Sequence, residues 1–143
     1  MSYCQRSDLE NVYGKVNVAK WADLDNNEDN AAITARIDAA IVSSVAKLDG
    51  WMRNKAYDVP FVAPLDPLVV EISARFAGIY LYEARGYAND DGEYMTEQRE
   101  HAESLVAQVL NGRLQLTHER ATNIPGVLTE TTEASILSDL NNL

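Results

Sequence analysis

The segment YDVPFVAPLDPLVVEI, Tyr57 to Ile72, sets Pro60, Pro64 and Pro67 between two long stretches of apolar periodicity. Pro60 and Pro64 remove two backbone donors and fix φ, so residues 59–64 read as an extended connection. Asp66-Pro67 reads as a helix start. The aspartate is a preferred N-cap, and proline at the first helical position gives up a donor that would be unpaired anyway. The segment is thus a stiff link between two helices, and the rest of the chain is read outward from it.

Before the link, from Asn30 to about Asn54, apolar residues recur at Ile33, Ile37, Ala40, Ile41, Val45, Leu48, Trp51 and Met52. Steps of three and four residues give one helical face, with Arg36, Asp38, Ser43, Lys47 and Asp49 falling largely elsewhere. Gly50 interrupts this helix at a cost of roughly 1 kcal/mol relative to alanine, and suggests a close backbone approach or a weakening end. After the link, Leu68, Val69, Ile72, Phe76, Ile79, Tyr80 and Glu83 repeat the spacing until Gly86 closes the helix. A third long helix is expected from about Asp90 or Asp91 to Asn111, with Tyr94, Met95, Ala102, Leu105, Val106, Val109 and Leu110 on its apolar side and Gly112 at its end.

Towards the N-terminus, Ser7-Asp8-Leu9-Glu10 has the form of a capping box, with Ser7 as N-cap, and Gly14 offers an early stop. Asn17 is read as the cap of a second short helix through Lys20-Trp21-Ala22, and Leu24 to Asn30 as a polar, acidic lead into the first long helix. Towards the C-terminus, Arg113 to Leu116 reads as a short strand or an exit segment. The expected fold is all-α: two short N-terminal helices, three longer amphipathic helices and a less regular tail. Residues 1–116 form the helical domain and residues 117–143 a tail or arm. In that tail Ile136, Leu137, Leu140 and Leu143 share one helical face, on a segment too short to stand alone as a helix in water.

Bulk composition narrows the function. The chain has 143 residues, 46% hydrophobic and 24% charged, which is ordinary for one globular domain. Its 22 acidic residues against 12 basic ones give a net charge of −10. Proteins that grip nucleic-acid phosphates need clustered Lys and Arg, so the charge argues against such binding while leaving open a surface that DNA slides past. No apolar run approaches the roughly eighteen residues of a membrane span, and MSYCQRSDLE does not read as a secretory signal. The single cysteine, Cys4, reads as a partly buried thiol rather than a nucleophile.

Catalytic and metal-binding patterns are weak. Asp23-x-Asp25-x-Asn27 opens like a calcium loop, but Glu28 stands where the turn glycine is needed and Thr34 where the closing glutamate belongs. Asp90-Asp91-Gly92-Glu93 reads as a turn with helix-capping carboxylates. His101 and His118 lack local partners and read as surface histidines. Tyr80, Tyr82 and Tyr87 have no basic neighbours for stacking on bases and read as packing or interface residues. The expectation is therefore no catalytic residue, no metal site and no cofactor.

Several stretches resemble the phage Mu-type head–tail joining protein family. Tyr3-Cys4 followed by Ser7-x-Leu9 is similar to that family's opening. IDAAIVSSVAKLDGWMRNKAYDVPF, Ile37 to Phe61, resembles its long helix ending in Asp-Gly-aromatic, then a basic residue, a tyrosine and the first linker proline. LVVEISARFAGIYLYEARG and LVAQVLNGRLQL resemble its next helix and its last helix with a Gly-Lys/Arg exit. The likeness covers roughly residues 1–116, with Trp51 standing where tyrosine is commoner. It implies a virion structural protein, a head–tail connector subunit that forms a homo-oligomeric ring between portal and tail. Its partners would be its own copies and the portal and tail or tail-terminator proteins, with DNA passing through and no membrane involved. It would be found in the virion, and in the host cytoplasm before assembly. The alternatives are a tail-terminator or tail-completion protein and a small cytosolic helical adaptor or regulator.

Overall fold

The computed structural model describes residues 2–53, 57–86 and 93–118. Among them the chain forms five helices: α1 Arg6–Tyr13, α2 Lys15–Ala22, α3 Asn30–Met52, α4 Pro67–Ala84 and α5 Glu93–Leu110. The fold is all-α, with two short helices followed by three long ones. The expected caps at Asp90 or Asp91, the residue Tyr87 and the tail from residue 119 onward lie outside the described residues.

The N-terminal caps differ from those expected. Helix α1 starts at Arg6, and its box is formed by Gln5 and Asp8, the Asp8 carboxylate accepting the Gln5 N–H at 2.7 Å. Ser7 is already inside the first turn, so the pattern Ser7–Glu10 is two residues out of register with the real start. Gly14, at φ +91°, ends α1 and begins α2 with no intervening loop. Only glycine takes that conformation without strain. Asn17 lies within α2 and caps backwards, its side-chain amide donating to the Tyr13 carbonyl at 2.9 Å.

Helix α4 is the centre of the molecule. Helices α1, α2, α3 and α5 all pack on it, α3 most extensively. Accordingly Val69, Ile72, Ala74, Phe76, Ala77, Gly78, Ile79 and Leu81 are buried, while Glu71, Arg75 and Glu83 stay partly exposed. Gly78 is where another element comes closest. A Cβ at this position would fall inside the ring of Tyr13, whose hydroxyl donates to the Arg75 carbonyl at 2.6 Å. Gly50, by contrast, has open space around it and is exposed, and α3 continues through it to Met52. No backbone approaches there.

The link between α3 and α4 bends rather than running straight. The Val59–Pro60 and Ala63–Pro64 peptide bonds are both cis. Tyr57 and Phe61 turn inward and are fully buried, while Pro60, Val62 and Pro64 face out. Asp66 and Pro67 start α4 as expected, Asp66 Oδ1 accepting the Leu68 N–H at 2.8 Å.

Candidate functional site

The link is bolted to both ends of the described chain. The Tyr3 hydroxyl donates to Asp49 Oδ1 at 2.5 Å and accepts the Phe61 N–H at 2.8 Å, so one side chain joins the N-terminus, the end of α3 and the link. Burial, reinforced by the Asp49 carboxylate, pushes the Tyr3 phenol up, and it keeps its proton. On the other side the exit segment after α5 docks through three polar contacts. The Leu116 N–H donates to the Tyr57 hydroxyl at 2.8 Å, the Thr117 N–H to Asp66 Oδ2 at 2.9 Å, and the Asp66 N–H to His118 Nε2 at 3.2 Å. The His118 ring also lies on Phe61, with centroids 4.7 Å apart. Burial raises the Asp66 carboxyl, but the donors from Leu68 and Thr117 outweigh it and hold Asp66 below the usual carboxylate value.

Residues 113–116 are therefore an exit segment, and the docked region runs on through His118. His118 is a half-buried member of this clasp, a departure from the surface reading, because residues far apart in sequence meet at the start of α4. His101 is exposed on α5.

The acidic lead into α3 turns its oxygens onto its own backbone and onto arginines. Asp23 accepts the N–H groups of Asn27 at 3.2 Å and Glu28 at 3.1 Å, and Asn27 Oδ1 accepts the Asp29 N–H at 3.1 Å. Asp25 pairs with Arg36 at 2.8 Å, and Asp29 caps α3 through the Ala31 N–H at 3.1 Å. Arg36 also donates to the Ala22 carbonyl, and Arg85 to the carbonyls of Lys20 and Asp23 and to Asn26 Oδ1. Two guanidiniums thus satisfy the last carbonyls of α2, where positive charge also favours the helix dipole. Among the described residues no group of three His, Cys, Asp or Glu side chains is arranged to hold a metal ion.

Cys4 is buried, and burial pushes its thiol up to about 11. It lies 3.4 Å from Ser73 Oγ, which is 2.8 Å from Ser44 Oγ, and Ser44 donates to the Ile41 carbonyl at 2.7 Å. This thread of small polar groups crosses the α3–α4 contact and pairs buried hydroxyls with one another. Nearby, the Lys47 ammonium sits over the rings of Trp51, Phe76 and Tyr80 at 5.0, 5.3 and 5.8 Å. Tyr82 packs edge-on against Trp21, with centroids 5.4 Å apart. Tyr80 and Tyr82 are therefore packing residues.

The outward side of α3 is built of small, uncharged residues around Val42. Ala35, Ala39, Val42, Ala46 and Gly50 follow one another along it, and all are exposed, Val42 by 66%. Charged residues flank this side, with Asp38 and Asp49 on one edge and Arg36 and Lys47 on the other, and none stands on it from Ala35 to Gly50. A helix that is apolar on its outer as well as its inner face is normally covered on both.

Over residues 3–132 the sequence matches the family described as Bacteriophage Mu, Gp36. The chain belongs to that family. Among curated proteins no match was found. In this Gp36-family phage protein the match begins at Tyr3, the residue that joins the N-terminus to the link, and runs past His118. Kinship therefore takes in the whole clasp and extends beyond the resemblance over residues 1–116. No helix among the described residues is long and apolar enough to cross a membrane.

Proposed function

We propose that this protein is a structural subunit of the virion, a head–tail connector that assembles with its own copies into a ring between portal and tail. It acts by holding shape rather than by catalysis, and it takes no cofactor. The observation that carries this reading is the uncharged, exposed outer side of α3 on a chain that is otherwise strongly acidic. A side of that kind gains by being covered, and a ring covers it by placing the same heterologous contact between each neighbouring pair.

Two further features support it. Tyr3, Asp49, Phe61, Asp66 and His118 tie the link to both ends of the fold, which suits a subunit whose neighbours must meet at a fixed angle. Glu93, Glu97, Glu100 and Glu103 lie exposed on α5, and with the net charge of −10 they favour passage of DNA without binding. In this reading the subunit waits in the host cytoplasm and ends in the virion. Light scattering coupled to size-exclusion chromatography tests it. The expected result is a closed oligomer that forms as concentration rises and binds no double-stranded DNA at physiological salt. A monomer at all concentrations, also when mixed with the portal and tail proteins of its phage, would overturn it.

A further inference from the structure

Beside the outer side of α3 lies an apolar pocket of about 310 Å³ between α2, α3 and α4. Its walls include Trp21, Leu24, Ala39, Ala40, Tyr80 and Leu81, and Arg36 is its one charged lining residue. Ala39 belongs at once to the pocket and to the exposed side of α3, so the two form one continuous apolar surface. We propose that this pocket receives the closing segment of a neighbouring copy, residues 134–143, so that each subunit gives one strap and takes one.

Three observations select this occupant. The first is chemical fit. Ile136, Leu137, Leu140 and Leu143 recur in the sequence at steps of one, three and three residues, and a shallow groove lined by Ala39 and Ala40 leaves room for such large side chains. The second is charge. Of the acidic residues Glu130, Glu133 and Asp139 only Asp139 lies within residues 134–143, so the segment brings a single charged side chain to an apolar pocket whose one charged lining residue, Arg36, is already paired with Asp25. The third is placement. The last described residue, His118, is held at the start of α4, whereas Tyr80 and Leu81 place the pocket near the end of α4.

His118 and the pocket are thus separated by most of a helix about 27 Å long, at 1.5 Å rise per residue. Residues 119–133 can span up to about 50 Å when extended. That length reaches the pocket of a neighbour set side by side in a ring as well as the chain's own pocket, and the proposed self-assembly selects the neighbour. The inference rests on the proposed self-assembly and names the surfaces that carry it.

The test uses the full chain. The substitutions Ser43→Glu, at an exposed position lining the pocket, and Leu140→Glu, in the segment, are each expected to raise the concentration needed for self-association by about tenfold, the size of one lost apolar anchor. Together they should cost no more than either alone, because both break the same contact. Separately prepared Ser43→Cys and Leu140→Cys chains, mixed and oxidised, should form a disulfide-linked pair, while the buried Cys4 stays out of reach. If the link forms only within a chain carrying both cysteines, the segment docks on its own domain and the exchange is wrong. If assembly persists unchanged in both glutamate variants, the ring reading survives and this inference falls. If the wild-type chain never assembles and no mixed link forms, both fall together.

Discussion

Tyr3 shows how much a single hydroxyl can carry. It donates to Asp49 and accepts from the Phe61 N–H, both in or beside the core. Replacing it with phenylalanine keeps the ring and its contact with Phe61 but strands a buried N–H. An unpartnered buried donor costs about 1–3 kcal/mol, so Tyr3→Phe is expected to lower unfolding stability by that amount in urea denaturation. A change within a few tenths of a kcal/mol would show that water replaces the hydroxyl. Gly78 is the other sensitive position. A methyl group there collides with the Tyr13 ring, which is itself held by its bond to the Arg75 carbonyl. Gly78→Ala should therefore destabilise by about 1–3 kcal/mol through overpacking, despite alanine's better helix propensity. Combining it with Tyr13→Ala should cost less than the sum of the two, which thermal unfolding of the three variants would reveal.

Among the elements, α4 depends most on its first residue. Asp66 caps α4 through Leu68 and holds the exit segment through Thr117. Its carboxyl is held below the usual value in the folded chain. A depressed acid stabilises the fold above its unfolded value of about 3.9, and that contribution fades as pH falls through the folded value. Asn keeps the cap but carries no charge to lose. Going from about pH 6 to about pH 3, the wild type is therefore expected to lose more thermal stability than Asp66→Asn. Equal losses would remove Asp66 as a source of the acid sensitivity. The N-cap itself was legible from Asp66-Pro67, because capping is local. The bond to His118 was not, since nothing in a sequence relates two residues 52 positions apart. Asn17 and Ser7 went astray for a related reason: several residues near a helix start can cap it, and Gly14 begins α2 ahead of Asn17 while the Gln5–Asp8 box begins α1 ahead of Ser7.

For the whole molecule the clasp ties the last described residues to the start of α4. Leu116 is buried, and Thr117 and His118 hold the start of α4. Truncation after His118 is expected to leave the thermal midpoint within about 2 °C of the full chain. Truncation after Asn111 removes the apolar contact of Leu116 and all three polar contacts, and should lower the midpoint by about 5–10 °C. Calorimetry of the two truncated chains checks this. Equal midpoints would show that the exit segment adds nothing. The outer side of α3 belongs to this scale too, because its exposure has meaning only against the rest of the fold. Sequence periodicity found the buried face through Ile33, Ile37, Ile41 and Leu48, and that face was correct. Alanines at Ala35, Ala39 and Ala46 look neutral in such a reading, whereas on the folded surface they form an uncharged side.

The sequence alone determined the all-α class, the three long helices, their order and the start of α4. Each of these follows from local physics: apolar spacing, capping residues and the proline block on helix and strand. It also determined family, since the match runs along the chain from residue 3 to residue 132. Only the tertiary structure decided that α4 lies at the centre, that Gly78 faces Tyr13, and that Tyr3 and His118, 115 positions apart, meet the same link. These are contacts between residues distant in sequence, and the packing of helices against one another selects them. Local preference leaves that packing open.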